Sequence, residues 1–353
     1  MRLAPGLGYR PEGMRYKLLG RSGLRVSELA LGTMTFGEDW GWGASKEESR
    51  KIFERFAEAG GNFVDTANNY TDGTSERFVG EFVSADRDHF VLATKYSLSE
   101  RRDDPNFGGN HRKNLVRSLE GSLQRLSTDR VDLLWLHMWD GMTPVEEVLR
   151  GMDDMVRAGK VAYVGFSDTP AWVVAQAVTT AELRGWVRPV AIQAPYSLLD
   201  RGVERDLLPM ARANELAVTV WGMLEGGTLT GKYRSADRGP ARYEEASEKE
   251  LAAGDAALAL AGEIGRSPAQ VAIGWIRARR DRAQIIPIVG ARTVDQLDDL
   301  LGSLEFELTD EQVARLDAVA PIDLGFPHSF LASDHVRGLI FGDTYPSIEN
   351  HRA

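Results

Sequence analysis

From residue 15 onward the chain repeats one unit, in which a short apolar run ends in a polar or glycine residue and an amphipathic segment of helical period follows. The apolar runs are Leu29–Gly32, Phe63–Asp65, Phe90–Thr94, Val131–Leu136, Val161–Phe166, Val190–Ala194, Ala217–Trp221 and Ile285–Val289. Near-continuous Val, Leu and Ile stretches of this length suit strands covered on both faces, as in a parallel sheet. Starts at 63, 90, 131, 161, 190 and 217 are mostly about 30 residues apart, the length of a βαβ unit. Eight such units close on themselves, so the rhythm predicts an α/β chain folded as a (β/α)8 TIM barrel. An open doubly wound sheet is the rival. Against it, no G-x-G-x-x-G follows the first strand, where Leu31-Gly32-Thr33-Met34-Thr35-Phe36-Gly37 stands.

The intervening segments carry helix punctuation. Ser45 with Glu48 reads as a capping box, Thr143-Pro144 and Thr169-Pro170 open helices, and Ser267-Pro268 opens another through Val271, Trp275 and Ile276. Leu115, Leu119, Leu123 and Leu126 share one face, Val145, Val148, Met152 and Met155 share another, and Val294–Leu301 supplies the last helix. Tyr16–Leu19 and Leu24–Val26 flank Gly20-Arg21-Ser22-Gly23 and read as a hairpin able to plug one end of the barrel. Residues 1–13 read as a flexible extension, with Met14 an alternative start, and 14–353 as a single barrel domain that includes a tail at 321–353. Two long insertions, Ser97–Asn110 and Arg234–Lys249, are candidate lids. The tail is expected to dock across the barrel mouth or against a partner subunit, the latter making a homo-oligomer.

Composition narrows the chemistry. With no cysteine, disulfides, thiolate nucleophiles and zinc-thiolate sites are excluded. Lys+Arg 42 against Asp+Glu 52 gives −10, which disfavours a nucleic-acid partner. No apolar stretch reaches the ~20 residues of a membrane span, and no secretory signal opens the chain, so a soluble cytoplasmic protein is expected.

Barrel enzymes place their chemistry at the C-terminal strand ends. Read only there, the sequence offers Asp65, Lys95, His137, Ser167-Asp168, Gln193, Trp221 and Arg292, with Tyr70 five residues beyond Asp65. Each has an ordinary reading: Asp65 as a helix cap, Lys95 as a solvated strand end, His137 as a structural histidine, Tyr70 as a loop aromatic. Together they suit delivery of a proton to a carbonyl oxygen. Lys95 can lower the pKa of a Tyr70 phenol, Asp65 can compensate the ammonium, and His137 can bond the substrate oxygen. No nucleophile is present, so hydride or electrons must come from a cofactor.

These stretches resemble the aldo-keto reductases. The resemblance rests on Gly20-Arg21-Ser22-Gly23-Leu24-Arg25-Val26-Ser27, Leu31–Gly37, Phe63-Val64-Asp65-Thr66-Ala67-Asn68-Asn69-Tyr70 and Ala93-Thr94-Lys95. It continues through Asp132–His137, Leu229-Thr230-Gly231-Lys232-Tyr233 and Ile286–Thr293 leading into Gln296-Leu297, so it runs over roughly 15–320. The resemblance implies NADPH-dependent reduction of aldehydes and ketones, with Tyr70 as general acid, Lys95 and Asp65 tuning it and His137 orienting the carbonyl. It also implies a cofactor site. Trp221 would stack on the nicotinamide, and Ser167, Asp168 and Gln193 would bind the carboxamide. Thr33, Gly222, Met223, Leu224, Gly226, Gly227, Leu229, Gly231, Lys232 and Gly290 would line the rest, with Arg292 and Gln296 near the adenosine 2′-phosphate and Lys232, Arg234 and Arg292 as its cations.

Four features depart from the family pattern: Asp168 for a usual Asn, Gly222-Met223 for a common Ser-Pro, Leu300 for an adenine-contacting Asn, and few cations near Arg292. They leave NADH open as an alternative cofactor. Trp40, Trp42, Met138 and Trp139 are candidate walls of the substrate pocket. A cofactor-binding regulatory module like the family's channel β-subunits is the second functional reading. A metal-dependent barrel hydrolase is disfavoured because the first strand has no His-x-His, and no metal site is expected.

Overall fold

The computed structural model describes residues 13–234 and 247–349. Two short strands, β1 (Tyr16–Leu18) and β2 (Arg25–Ser27), pair antiparallel with Lys17 opposite Val26. Eight more follow: β3 (Ala30–Gly32), β4 (Phe63–Asp65), β5 (Val91–Tyr96), β6 (Val131–Leu136), β7 (Val161–Ser167), β8 (Ala191–Pro195), β9 (Ala217–Trp221) and β10 (Gln284–Val289). They run parallel in chain order, and β10 closes the barrel by pairing with β3. The eight apolar runs of the sequence are these eight strands, shifted by no more than two residues at either end.

Alternation within the strands divides the core in two. Ala30, Phe63, Ala93, Leu133, Trp135, Ala191, Ala217 and Ile286 fill the barrel interior. Their neighbours Leu31, Val64, Leu92, Leu134, Val164, Ile192 and Val218 face the surrounding helices. Trp135 fits inside because β7 carries Gly165, where a Cβ would lie 2.4 Å from the indole. Leu19 and Val26 of the hairpin join the interior cluster, so the hairpin plugs the N-terminal end as the sequence suggests.

The helices are α1 (Lys46–Glu58), α2 (Thr74–Val83), α3 (Arg112–Leu126), α4 (Val145–Arg157), α5 (Ala171–Arg184), α6 (Leu207–Ala213), α7 (Glu248–Ile264), α8 (Pro268–Arg277), α9 (Val294–Leu301), α10 (Asp310–Val319), α11 (His328–Leu331) and α12 (Asp334–Phe341). Two differ from the sequence reading. Ser45 caps α1 through the Glu48 amide, but Glu48 does not complete the box; its carboxylate accepts from Val294 N–H at 3.0 Å, the first amide of α9. Helix α7 was unexpected because its alanine-rich sequence lacks a sharp apolar stripe. It buries Ala253, Ala257, Leu260 and Ala261, and a complete capping box of Ser247 and Glu250 opens it. Its first turn takes Glu248 and Lys249 from the expected long loop, whose residues 235–246 lie outside the described residues, as do 1–12 of the expected extension.

Beyond α10 the chain is tied to the segment after β8, where Arg201 donates to the Ala320 carbonyl and Arg205 to that of Asp323. The tail buries Val336 but leaves Phe330, Leu331, Leu339 and Ile340 exposed. Among the described residues no helix is long and apolar enough to cross a membrane.

Candidate active site

Strands β4, β5 and β6 end side by side, and their last residues converge. Lys95 is buried within β5 and donates to Asp65 Oδ2 at 2.5 Å, to the Thr66 carbonyl at 2.8 Å and to Tyr70 Oη at 3.0 Å. All three ammonium donors are thereby used. Asp65 receives a second donor on its other oxygen, Gln193 Nε2 at 3.1 Å, and Gln193 also reaches Thr219 Oγ1 at 3.3 Å. The Tyr70 ring stands nearly perpendicular to that of His137, with centroids 6.0 Å apart.

Tyr70 is held by a tight turn built at a cost. Thr71 and Asp72 both take left-handed backbone angles, φ 45° and 51°, before Gly73 opens α2. Non-glycine residues adopt this region at roughly 1 kcal/mol or more each. Thr71 offsets the strain by donating to the Phe36 carbonyl at 2.6 Å and accepting from Ser75 N–H at 3.1 Å.

The protonation states follow from burial and charge. Burial pushes the Tyr70 phenol above its usual value, and the Lys95 ammonium does not reverse this. The sequence reading has Lys95 lowering the phenol; here Tyr70 is a firmly protonated donor. Burial works against the Lys95 ammonium, but Asp65 and Tyr70 outweigh it and raise its pKa. Burial first, and the Lys95 charge second, hold His137 well below the usual imidazole range. The site therefore presents a neutral imidazole, a neutral phenol and one buried ammonium-carboxylate pair.

Around this group lie buried polar atoms with no hydrogen-bond partner among the described residues: both amide atoms of Asn68, Asn69 Oδ1, His137 Nδ1, Ser167 Oγ and Asp168 Oδ1. Other such atoms are scattered through the described residues, Trp135 Nε1 and Arg279 Nε among them, but six occur together here and leave hydrogen-bonding capacity for a ligand or water. Asp168 has φ 41°, a conformation asparagine tolerates better than most residues, and burial raises its carboxyl pKa although Trp221 and Lys95 pull it down. Trp221 stands half exposed at the end of β9 beside it. Asn68, between Asp65 and Tyr70, was not singled out by the sequence reading; its place in the turn was the available signal.

The remaining expected cofactor residues divide. Arg292 has no carboxylate within ion-pair distance among the described residues, and its amide is held by Gln296 Oε1 at 2.9 Å. Gly227, φ 95°, lies where a Cβ would strike the Lys232 side chain at 2.4 Å, so its bareness lets Lys232 fold over the loop. Gly222, Met223, Leu224, Leu229 and Gly231 form the turns around it, with Met223 and Leu229 buried. Gly290 lies exposed just after β10. Two residues are already engaged: the Thr33 hydroxyl bonds Ser75 Oγ at 2.8 Å and the Asp65 carbonyl at 3.2 Å, and the Gln193 amide nitrogen serves Asp65. Nothing is described of the Arg234 side chain.

Trp40 and Trp42 pair at 5.9 Å after β3, and Trp40 donates to Asp72 at 3.4 Å. Met138 is exposed after β6, and Trp139 packs partly buried beside it. Among the described residues no group of three or more His, Asp or Glu side chains is placed to hold a metal ion.

Comparison with known proteins agrees with this arrangement. The model of the Aldo/keto reductase family matches residues 28–321. The chain is 40% identical to norsolorinic acid reductase stcV of Emericella nidulans over 320 residues, covering 88% of this chain and 82% of that protein. It is 35% identical over 356 residues to the aryl-alcohol dehydrogenase [NADP(+)] of Phanerodontia chrysosporium, covering 94% and 89%. With the putative aryl-alcohol dehydrogenase AAD14 of Saccharomyces cerevisiae the identity is 34% over 345 residues, covering 91% and 90%. An eight-stranded parallel barrel, a converging Asp-Tyr-Lys-His group and a family match over most of the chain give one conclusion: this chain belongs to the aldo/keto reductase family.

Proposed function

We propose that the chain is an NADPH-dependent reductase of aldehydes and ketones in which Tyr70 gives the proton. The observation that carries this reading is the donation from Lys95 Nζ to Tyr70 Oη at 3.0 Å, with Asp65 behind the ammonium. A neutral phenol beside a buried cation can release its proton to a carbonyl oxygen as negative charge grows there, because the ammonium then stabilises the phenolate. His137, neutral and with Nδ1 unpartnered among the described residues, has hydrogen-bonding capacity to orient the same oxygen. Asp65 keeps Lys95 charged and fixed. Gln193 and Thr66 hold that pair in register.

The residues present suit a nicotinamide cofactor, which when bound supplies the hydride to the carbonyl carbon. Ser167 Oγ, Asp168 Oδ1 and Asn68 have unspent hydrogen-bonding capacity near the tetrad, and Trp221 offers an exposed indole face. The Arg292 guanidinium, without an ion-pair partner among the described residues, suits a 2′-phosphate, which favours NADPH over NADH. The name of the Phanerodontia relative, which includes NADP(+), supports the same preference. An aryl carbonyl is the substrate class supported by the relatives' names and by the tryptophans at the mouth.

Fluorescence titration with NADPH and NADH tests the cofactor half. Arg292→Ala is expected to weaken NADPH about ten-fold or more and NADH by less than two-fold, in line with loss of a charge-assisted contact. Equal loss for both cofactors, or none for either, would remove the 2′-phosphate role.

A further inference from the structure

His137 lacks the side-chain anchoring that its neighbours in the site have. Lys95 spends its donors on Asp65, Thr66 and Tyr70, and Tyr70 is held by Lys95 in turn. The imidazole stands against the Tyr70 ring, and its Nδ1 has no hydrogen-bond partner among the described residues. Its aim rests on the backbone that carries it.

That backbone is pinned on both sides. His137 N–H donates to the Tyr96 carbonyl at 2.9 Å, just past the last paired residues of β5 and β6. One residue on, the Ser97 hydroxyl accepts from Met138 N–H at 3.0 Å and donates to the Met138 carbonyl at 3.2 Å. The same carbonyl accepts from Asn110 Nδ2 at 2.8 Å. Asn110 is fully buried and leaves none of its polar groups idle. Its N–H donates to Asp140 Oδ2 and its Oδ1 accepts from Asp140 N–H, both at 2.8 Å, while its carbonyl takes the Tyr96 hydroxyl at 3.2 Å. Gly109 N–H donates to the Ser97 carbonyl at 2.8 Å, which closes the neck of the long Ser97–Asn110 segment. The expected lid is thus fastened where it meets the site.

Ser97 holds this place with a left-handed backbone, φ 108°, and is buried. Glycine would take that conformation without strain but would bring no hydroxyl. A strained residue two positions past Lys95, with its hydroxyl spent on the residue after His137, points to a positional role.

We infer that Ser97, with Asn110 behind it, is a positioning residue for His137: it fixes the strand end that aims the imidazole at the carbonyl oxygen. This rests on the reductase reading above and adds to it the means by which His137 is held. A misplacement of about 1 Å can cost on the order of a hundred-fold in rate. Losing the Ser97 hydroxyl while Asn110 stays in place should cost less.

A double-mutant cycle in the full chain tests this. Ser97→Ala is expected to lower kcat/KM for 4-nitrobenzaldehyde about ten-fold, with the NADPH Kd within about two-fold of the wild type. In a His137→Ala background the same change should move kcat/KM by less than about two-fold, because the group it positions is gone. Ser97→Gly removes the strain together with the hydroxyl. Its thermal midpoint should equal or exceed that of Ser97→Ala, while its kcat/KM falls as far. No loss in Ser97→Ala, an equal loss in both backgrounds, or activity that follows the thermal midpoint across the variants would overturn the inference. Should the wild type reduce no aldehyde, the reductase reading falls, and the positioning is read from the imidazole itself. With ring-13C-labelled histidine the chain carries six labelled rings, and the signal lost in His137→Ala belongs to His137. That signal should shift or broaden in Ser97→Ala and Ser97→Gly; an unchanged signal in both refutes the positioning.

Discussion

Two ends of the barrel bury charge, and they do so differently. At the base, Glu28 accepts from Arg15 through its amide, Nε and Nη2 at 3.1 Å each, and from Arg277 at 3.3 Å. Burial pushes its carboxyl up, but the two guanidiniums outweigh that and hold it below its usual range. At the mouth, Lys95 and Asp65 are at least as deeply buried and paired, yet they are ringed by polar atoms with nothing to bond. The base cluster is closed within the chain, while the mouth keeps hydrogen-bonding capacity for a second molecule. Burial and ion pairing are common to both ends; the group of unpartnered polar atoms beside Lys95 and Asp65 is what sets the mouth apart from the Glu28 cluster.

Variants at the two ends should therefore fail in different ways. Lys95→Met is expected to have the largest effect, lowering aldehyde turnover by about a thousand-fold or more by removing the charge that stabilises phenolate. It should also cost stability, about 3–5 kcal/mol, because Asp65 is left as a buried carboxylate without its cation. Denaturant unfolding and steady-state kinetics on the same preparation measure both. Glu28→Ala is expected to cost about 3 kcal/mol, because Arg277 loses its buried partner, while kcat and KM stay as in the wild type. A kinetic defect there would break the division between the two ends.

A smaller and more diagnostic effect comes from Lys17, which lies on β1 and donates to the Ile285 carbonyl at 2.7 Å. Burial lowers its pKa to about 8. Between that value and the ~10.4 of an unfolded lysine, the unfolded chain binds more protons than the folded one. Stability should thus rise with pH across this window, by something on the order of 2 kcal/mol. Lys17→Met should flatten the rise relative to the wild type in unfolding measured from pH 7.5 to 10, where the ends of the range are set by those pKa values. An unchanged difference curve would mean that Lys17 is charged and well solvated.

The barrel was legible in the sequence because strands covered on both faces must be continuously apolar, and eight such runs at one spacing leave few folds open. The tetrad was legible for a related reason: in a parallel barrel, the residue closing each strand is a position in space. What escaped was decided by distant partners. Glu48 has the spacing of a capping box, but its carboxylate bonds Val294, 246 positions away. Thr33 and Gln193 lie at strand ends like Asp65 and Lys95, yet the Thr33 hydroxyl bonds Ser75 on α2 and the Gln193 amide nitrogen reaches across the barrel from β8 to Asp65 on β4. Trp172, in the first turn of an apolar helix, reads as core until its exposure is known. The turn that sets Tyr70 ends in Gly73, φ 84°, but its left-handed backbone extends back over Thr71 and Asp72, which nothing in their residue types announces.

The most direct test of the mouth as a proton-delivering site is reduction of 4-nitrobenzaldehyde with NADPH by Tyr70→Phe, alongside NADPH binding to the same variant. Removing only the hydroxyl should leave cofactor affinity and unfolding within about two-fold and 1 kcal/mol of the wild type, and lower kcat by at least a hundred-fold. Turnover retained within a few-fold of the wild type, with NADPH still bound, would contradict the assignment of Tyr70 as the acid.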